Sequence, residues 1–197
     1  MNVNDKVSME YEARVMVSES QYSKIRDKYL NSGHICHEFT NKNTYFDTSD
    51  LYMTNHHIVL RIREIDDIEK ELTLKVKLEN GDEEITERNI SDNDCCRYLA
   101  GEIDVKQIVN ELTMRGVDVN DLRVVATLVT ERLEVSFSNF LLVIDKNYYN
   151  NKIDFNIEVE STSRKEAEKY LLEIIEPFAI EYKKDYISKS RRAILKL

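Results

Sequence analysis

The feature that most constrains the fold is an alternation of charged and apolar residues that recurs in five segments of the chain. In a β-strand, successive side chains point to opposite faces of the sheet. Each segment therefore predicts a strand with long acids or bases on one face and mostly aliphatic residues on the other. Together they favour a sheet whose charged faces converge on a charged ligand. The five segments cover residues 10–14, 60–63, 74–77, 132–135 and 156–160.

The composition bounds the domain organisation. The 197 residues are 42% hydrophobic and 33% charged, which is typical of a globular chain large enough to bury a core. The sequence has only 4 glycines and 1 proline, so no flexible or proline-rich linker divides it. We predict a single domain over residues 1–197.

Charge and cysteine content argue against several classes of protein. The net charge of −9 disfavours nucleic-acid binding, because the phosphate backbone would be repelled. No apolar run approaches the length of a membrane span, and residues 1–6 are polar, unlike the apolar segment of a signal peptide. The sequence has three cysteines, Cys36, Cys95 and Cys96. An odd number of cysteines, two of them adjacent, is not typical of a disulfide framework or a zinc site. These features predict a cytoplasmic protein without a nucleic-acid or membrane partner.

Periodicity and turn signals predict eight strands and several helices. Ser18 followed by Gln21 indicates a capped helix start, and Asp104 with Gln107 indicates another. Asp47 is interpreted as a turn-forming residue rather than a ligand. The predicted strands cover residues 8–17, 36–46, 58–65, 70–78, 83–90, 123–137, 141–148 and 153–161.

These elements predict an α+β fold. Hairpin spacing favours antiparallel pairing, and sheets with a polar inner face usually line a channel or cavity. Amphipathic helices can cover the aliphatic face of such a sheet. The prediction is an eight-stranded antiparallel β-barrel, charged inside, with helices packed outside.

Strand parity selects the side chains that would line this interior. Acids and bases can pair across strands, but unpaired guanidinium groups favour a phosphate chain as ligand. Clustered carboxylates favour a hard cation such as Mg²⁺ or Mn²⁺. Taken singly, each pattern could equally be the solvated face of a hairpin. The basic set is Arg14, Arg61, Arg63, Lys75, Lys77 and Arg132, and the acidic set is Glu10, Glu12, Glu84, Glu134, Asp145, Glu158 and Glu160.

The ordered set of motifs resembles the CYTH superfamily, the triphosphate tunnel metalloenzymes. The family's ExExK signature appears here as Glu10-x-Glu12-x-Arg14, and a YFDT run follows at residues 45–48. Alternating basic strands come next, at residues 60–63 and 72–77. Glu158-Val159-Glu160 resembles the late paired-glutamate strand, and residues 189–192 resemble the basic C-terminal motif.

The resemblance implies a tunnel that binds a triphosphate and one or two divalent metal ions, Mg²⁺ or Mn²⁺. The residues implied to bind the triphosphate are Arg61, Arg63, Lys75, Lys77, Arg132 and Arg192, with Lys189 in the same C-terminal motif. The residues implied to hold metal are Glu10, Glu12, Glu158 and Glu160, with Asp145 and Glu84 helping, and Glu134 joins them from the acidic set.

The departure from the family motif is Arg14, which replaces a lysine. The charge is kept, but a compact ammonium becomes a bulkier guanidinium that is always protonated. If the family lysine positions or activates the attacking water, the replacement bears on catalysis rather than on anion binding. We therefore predict Arg14 and Glu12 as the catalytic residues.

The leading hypothesis is metal-dependent hydrolysis of a small-molecule triphosphate or polyphosphate. Family members act on inorganic tripolyphosphate, thiamine triphosphate or nucleoside triphosphates, and the resemblance leaves these substrates open. One alternative is an adenylate cyclase that forms cyclic AMP from ATP. The other is a non-catalytic protein that binds a phosphoanion, and a homodimer also stays open.

Overall fold

The strands and helices follow the predicted order. The computed structural model describes residues 8–78, 81–183 and 187–197, and the side chains of residues 8–10, 78 and 81–83 lie outside that description. The strands are β1 (Ser8–Val17), β2 (Ile35–Asp47), β3 (Ile58–Ile65), β4 (Glu69–Leu78), β5 (Gly81–Arg88), β6 (Arg123–Ser136), β7 (Phe140–Tyr149) and β8 (Lys152–Ser161). The helices are α1 (Glu19–Leu30), α2 (Tyr52–Asn55), α3 (Asp92–Leu99), α4 (Lys106–Met114), α5 (Arg164–Ile175) and α6 (Lys189–Ile194).

The eight strands belong to one sheet. Their order is β1-β5-β4-β3-β2-β6-β7-β8, and β8 pairs in turn with β1, so the order is that of a closed barrel. The strand pairs β1–β8, β3–β4, β4–β5, β6–β7 and β7–β8 are all antiparallel. The predicted α+β fold with eight antiparallel strands in one sheet is confirmed.

Two compact units can be distinguished within the chain. Among the described residues, unit 1 comprises 8–9, 42–78, 81–128 and 189–197, and unit 2 comprises 10–41, 129–183 and 187–188. The single domain expected from the composition stays a prediction, and each unit is described by itself below.

Unit 1 has an apolar face and a charged face, as strand parity predicts. Leu60 of β3 pairs with Leu74 of β4, and Ile62 pairs with Leu72. These four side chains are fully buried in a core that includes residues of α2, α3 and α4. Burying each contributes about 1.5–3 kcal/mol relative to exposure. The alternate residues of β3 and β4, beginning with Arg61, form the charged face of unit 1.

Unit 2 is built in the same way. Val15 of β1 pairs with Ile157 of β8, and Ile157 pairs with Ile144 of β7. These side chains pack with Ile25 of α1 and Leu171 of α5 in a second core. The alternate residues of β1, β6, β7 and β8 form the charged face of unit 2.

A capping residue explains where α1 begins, and the cap predicted for α4 is wrong. Ser18 accepts a hydrogen bond from the backbone N–H of Gln21, and the Gln21 side chain accepts one from the backbone N–H of Ser18. This is the capping box expected before α1. Asp104 does not cap α4, whose N-cap residue is Val105. The Asp104 carboxylate instead accepts a hydrogen bond from Arg97 at 2.6 Å, because an adjacent guanidinium is a stronger partner than a helix N–H.

Asp47 forms the turn that follows β2. Its buried carboxylate accepts hydrogen bonds from the backbone N–H groups of Thr48, Met53 and Thr54 at 2.8–2.9 Å, and from the Thr54 hydroxyl at 2.6 Å. Every one of these donors lies between β2 and β3. The interpretation of Asp47 as a turn former is confirmed.

The helices of the described residues are not membrane spans. None of them combines the length and the hydropathy that crossing a membrane requires.

Replacing Asp47 by alanine should destabilise the fold. The variant leaves buried N–H donors without an acceptor, so we expect the free energy of unfolding to fall by about 3 kcal/mol. Urea denaturation measures this change. Asp27→Ala, at an exposed carboxylate of α1, is the control and should change it by less than about 0.5 kcal/mol. Equal effects of the two substitutions would contradict the structural role of Asp47.

Candidate functional site

A basic cluster occupies the charged face of unit 1. Antiparallel register places Arg61 opposite Thr73 and Lys75 opposite Glu84. We define the basic cluster as Tyr45, Arg61, Arg63, Lys75, Glu84 and Arg192. Cationic side chains outnumber the one carboxylate in this set, which gives the cluster a positive field.

Tyr45 lies at the centre of the basic cluster. Its side chain is only 3% exposed, and its hydroxyl lies beside the guanidinium group of Arg61. Burial raises the pKa of the Tyr45 phenol, while the charges of Arg61, Arg63 and Arg192 oppose that rise. The phenol therefore stays protonated at neutral pH and contacts the guanidinium group of Arg61 as a neutral dipole.

Arg61 and Arg63 differ in how fully they are satisfied. Arg63 donates from Nε to Asn43 at 3.3 Å and from Nη1 to Glu71 at 3.4 Å. The Nε of Arg61 is buried, and it has no hydrogen-bond partner among the described residues. A buried donor without an acceptor is costly, and a phosphate oxygen is the acceptor that a guanidinium fork matches best.

Glu84 lies among cations rather than with the other predicted metal ligands. Burial alone would raise the pKa of its carboxyl, but Arg61, Lys75 and Arg63 outweigh burial and lower the pKa. The Thr86 hydroxyl also donates to Glu84 at 3.1 Å. Glu84 is thus a counter-ion within the basic cluster, and its predicted role in metal binding is untested.

The remaining predicted cations of unit 1 differ in exposure. Arg192 of α6 is buried, and Lys189 at the start of that helix is half-buried. Lys77 of β4 is exposed. Arg192 therefore belongs to the basic cluster through its effect on Tyr45, whereas the phosphate-binding roles of Lys77 and Lys189 are untested.

An acidic cluster occupies the charged face of unit 2. Register places Glu12 opposite Glu160, Arg14 opposite Glu158 and Arg132 opposite Asp145. We define the acidic cluster as Glu12, Arg14, Arg132, Glu134, Asp145, Glu158 and Glu160, since side-chain contacts or charges connect its members beyond strand pairing. Carboxylates outnumber guanidinium groups in it. Glu10 is on β1 with Glu12, but its side chain lies outside the described residues.

Arg132 is held by carboxylates on several sides. Its Nε and Nη2 donate to the two oxygens of Asp145 at 2.9 and 3.0 Å, and its Nη1 and Nη2 lie 3.7 and 3.8 Å from Glu134 and Glu158. Burial would lower the pKa of Arg132, but the charges of Asp145 and Glu158 outweigh burial and raise it. Asp145 is fully buried, and both its oxygens are engaged by this guanidinium.

Arg14 also lies among the carboxylates. Its guanidinium forms an ion pair with Glu12, and its Nε lies 3.6 Å from Oε1 of Glu158. Glu158 is therefore flanked by Arg14 at one oxygen and Arg132 at the other. The two arginines neutralise part of the negative charge that the acidic cluster would otherwise bury.

The donor chemistry of the acidic cluster fits a divalent cation. Carboxylate oxygens are the ligands that Mg²⁺ and Mn²⁺ prefer, and the excess of carboxylates leaves negative charge to be balanced. Within residues 8–78, 81–183 and 187–197, however, no three His, Cys, Asp or Glu side chains are grouped closely enough to hold a metal as they stand. Arg14 contacts two of the predicted ligands, so a metal ion would have to compete with its guanidinium.

A family model for the CYTH domain matches residues 8–193. The chain belongs to the CYTH family. The resemblance that the motifs carry is thereby confirmed.

Known proteins related to this CYTH chain fall into two groups by name. The "Putative triphosphatase YjbK" of Bacillus subtilis is 29% identical over 144 residues, which cover 73% of this chain and 74% of the relative. A structure from Bacillus halodurans described as a putative adenylate cyclase is 25% identical, covers 94% of this chain and 97% of that one, and has a TM-score of 0.83. A Hippeastrum protein, HpAC1, described as a putative adenylyl cyclase with a dominant triphosphatase activity, is 21% identical, covers 93% and 94%, and has a TM-score of 0.76.

Several polar residues of the CYTH domain were missed by the sequence analysis. Asn147 accepts from the Thr130 hydroxyl at 2.8 Å and donates to Asp154 and Asn156 at 2.9 and 2.7 Å. Asn156 donates to Asp145 at 3.5 Å. These uncharged residues lie on the same strand faces as the acidic cluster. Strand alternation would have identified them if amide side chains had been considered together with charged ones.

Tyr45 and Glu71 were missed for related reasons. Tyr45 belongs to the YFDT run, but it also lies on the same face of β2 as Asn43. Glu71 of β4 is buried and lies 3.4 Å from Arg63 and 3.2 Å from Arg88. Glu71 alternates with Thr73 and Lys75 along β4, and this alternation indicates that it lies on the same strand face as those residues.

Replacing Glu84 by glutamine should remove an acid-sensitive part of the stability. A carboxyl whose pKa is lowered on folding stabilises the protein above its unfolded value and loses that contribution as the pH falls through the folded value. We expect wild type to be more stable than Glu84→Gln at pH 7 and the difference to shrink below pH 4.5, the ordinary pKa of the group.

Urea denaturation at pH 7 and in a series of acid buffers measures this difference. Glu102→Gln, at an exposed carboxylate 3.7 Å from Arg97, is the control for a change of one charge. A pH-independent difference for Glu84→Gln would contradict the assignment.

Proposed function

We propose that this CYTH protein hydrolyses a small-molecule triphosphate, releasing inorganic phosphate. The observation that carries the proposal is the basic cluster, in which three arginines lie around a buried tyrosine and the buried Nε of Arg61 has no acceptor among the described residues. Membership of the CYTH family and similarity to a protein named as a putative triphosphatase support the same class of substrate.

The cations have separable roles in this proposal. Arg61 and Arg63 would bind phosphate oxygens through their planar forks, and Lys75 and Arg192 would add point charge and a further fork. Such groups stabilise the charge that spreads over the phosphoryl oxygens during transfer. Tyr45 lies beside the Arg61 guanidinium and would help to hold it in place. The buried Nε of Arg61 would then be oriented toward a phosphate oxygen. Lys77 and Lys189 complete the proposed phosphate-binding set of unit 1, and Arg132 of the acidic cluster stays a predicted phosphate-binding residue.

The acidic cluster would hold the divalent cation that accompanies a triphosphate. We propose Glu12, Glu158 and Glu160 as ligands for Mg²⁺ or Mn²⁺, together with Glu10. When bound, such an ion neutralises phosphate charge and lowers the pKa of a coordinated water. The contacts of Asp145 favour a positioning role, because both its oxygens bind Arg132, and Glu134 lies beside the same guanidinium.

Arg14 favours a second candidate function, a protein that binds a phosphoanion without turning it over. The proposed catalytic pair, Arg14 and Glu12, is joined in an ion pair. Because a guanidinium is always protonated, Arg14 cannot accept a proton from water. This candidate predicts binding of tripolyphosphate by calorimetry with no phosphate release. The location in the cytoplasm and a homodimer stay predictions.

A panel of substrates tests the proposal. Inorganic tripolyphosphate, thiamine triphosphate and ATP are each incubated with Mg²⁺ or Mn²⁺, and phosphate release is measured. Chromatography of the ATP reactions detects cyclic AMP, which would identify the cyclase alternative. Release by wild type no greater than that by the double variant Glu158→Ala/Glu160→Ala would overturn the proposal.

Replacing Arg61 by alanine should impair catalysis more than folding. Loss of a guanidinium that binds the transferring phosphate is expected to lower kcat/KM by about 100-fold, measured on the best substrate of the panel. Arg115→Ala is the matched control, since Arg115 pairs with Glu111 on α4, outside the basic cluster. An Arg61→Ala variant with wild-type kcat/KM would exclude Arg61 from the site.

A further inference from the structure

The contacts of Arg14 bear on how the acidic cluster takes up a metal ion. Two of the proposed ligands, Glu12 and Glu158, both form ion pairs with its guanidinium. The register accounts for this, because Arg14 lies directly opposite Glu158 and two residues from Glu12 on the same strand face. One cation therefore bridges carboxylates from two neighbouring strands.

We propose that Arg14 is an internal counter-cation that holds Glu12 and Glu158 in the absence of metal and weakens divalent-metal binding to the acidic cluster. The inference deepens the proposed function, since it concerns the same carboxylates. It assigns to Arg14 a property that the lysine of the family motif would share only in part.

Burial explains why a counter-cation is needed at this place. Glu158 is 3% exposed, and a buried carboxylate without a positive partner is strongly destabilising. A guanidinium can engage two carboxylates at once through separate N–H groups and remains charged at every working pH. A lysine has a single ammonium nitrogen to divide between the two carboxylates, so it would hold them less firmly.

A metal ion that enters the cluster has to compete with this arrangement. Binding to Glu12 and Glu158 requires their oxygens to leave Arg14, and the displaced guanidinium repels a dication that stays nearby. At a separation of about 4 Å near a protein surface, the repulsion between two like charges exceeds the thermal energy several times over. A competing charge at this distance is therefore large enough to shift metal affinity by orders of magnitude.

Arg132 does not have the same role. It is bound through two hydrogen bonds to Asp145, which is in turn contacted by Asn156. Its distance to Glu158, 3.8 Å, is longer than its distances to Asp145. Arg132 is thus anchored by a residue outside the proposed ligand set, whereas Arg14 forms ion pairs with the proposed ligands Glu12 and Glu158 themselves.

Mn²⁺ binding to the full chain, without any phosphate compound, tests the proposal. Electron paramagnetic resonance measures free Mn²⁺ in titrations of wild type, Arg14→Gln and Arg26→Gln. We expect Arg14→Gln to bind Mn²⁺ at least about tenfold more tightly than wild type, because a competing charge is removed. Arg26→Gln makes the same change in net charge at an ion pair with Glu38 of 2.6 Å in unit 2, and it should stay within about twofold of wild type.

Arg14→Lys keeps the charge and guards against loss of folding in the glutamine variant. It should bind Mn²⁺ more tightly than wild type and less tightly than Arg14→Gln. Affinity in Arg14→Lys equal to or below wild type would overturn the proposal, as would equal gains in Arg14→Gln and Arg26→Gln, or no Mn²⁺ binding by any variant. Hydrolysis is measured separately, so tighter Mn²⁺ binding without phosphate release would sustain this inference while removing the proposed function.

Discussion

The pairing of buried charges across strands is the interaction on which the rest of the structure depends. Strands β3, β4 and β8 each have a charged face as well as an apolar one, and both faces need partners in the folded protein. The apolar faces are covered by helices in two cores. The charged faces are stabilised because acids and bases meet at opposite register positions, such as Arg132 with Asp145 and Lys75 with Glu84. Loss of that register would both expose the cores and bury unpaired ions.

Much of this arrangement follows from the period of the sequence. Alternation places Leu60 and Ile62 on one face of β3 and Arg61 on the other. In the structure, Leu60 and Ile62 are buried in the core, and Arg61 lies on the opposite face. The capping box at Ser18 and the turn at Asp47 were also readable, because their hydrogen bonds are local in sequence. The CYTH family could be identified for the same reason, since each of its motifs is a short run of neighbouring residues.

Other features could not be predicted from the sequence because they depend on which strands are neighbours. Parity placed Glu84 on the strand face opposite Ile85 but gave no means of knowing that Arg61, Arg63 and Lys75 surround it. The contact of Arg14 with Glu158 joins residues of β1 and β8. Asp104 was misassigned as a helix cap because Arg97, seven residues before it, competes for the same carboxylate. Partner choice among many similar charges is a three-dimensional property.

The two-faced strands also affect how the stability of this protein changes with temperature. Exposure of apolar surface raises the heat capacity on unfolding, whereas exposure of polar surface lowers it. Residues such as Asn147, Asn156, Asp145 and Thr73 are fully buried along with the aliphatic cores. Their hydration on unfolding offsets part of the apolar contribution. A protein that buries several polar side chains of its sheet therefore has a flatter stability curve than one of equal length with an apolar interior.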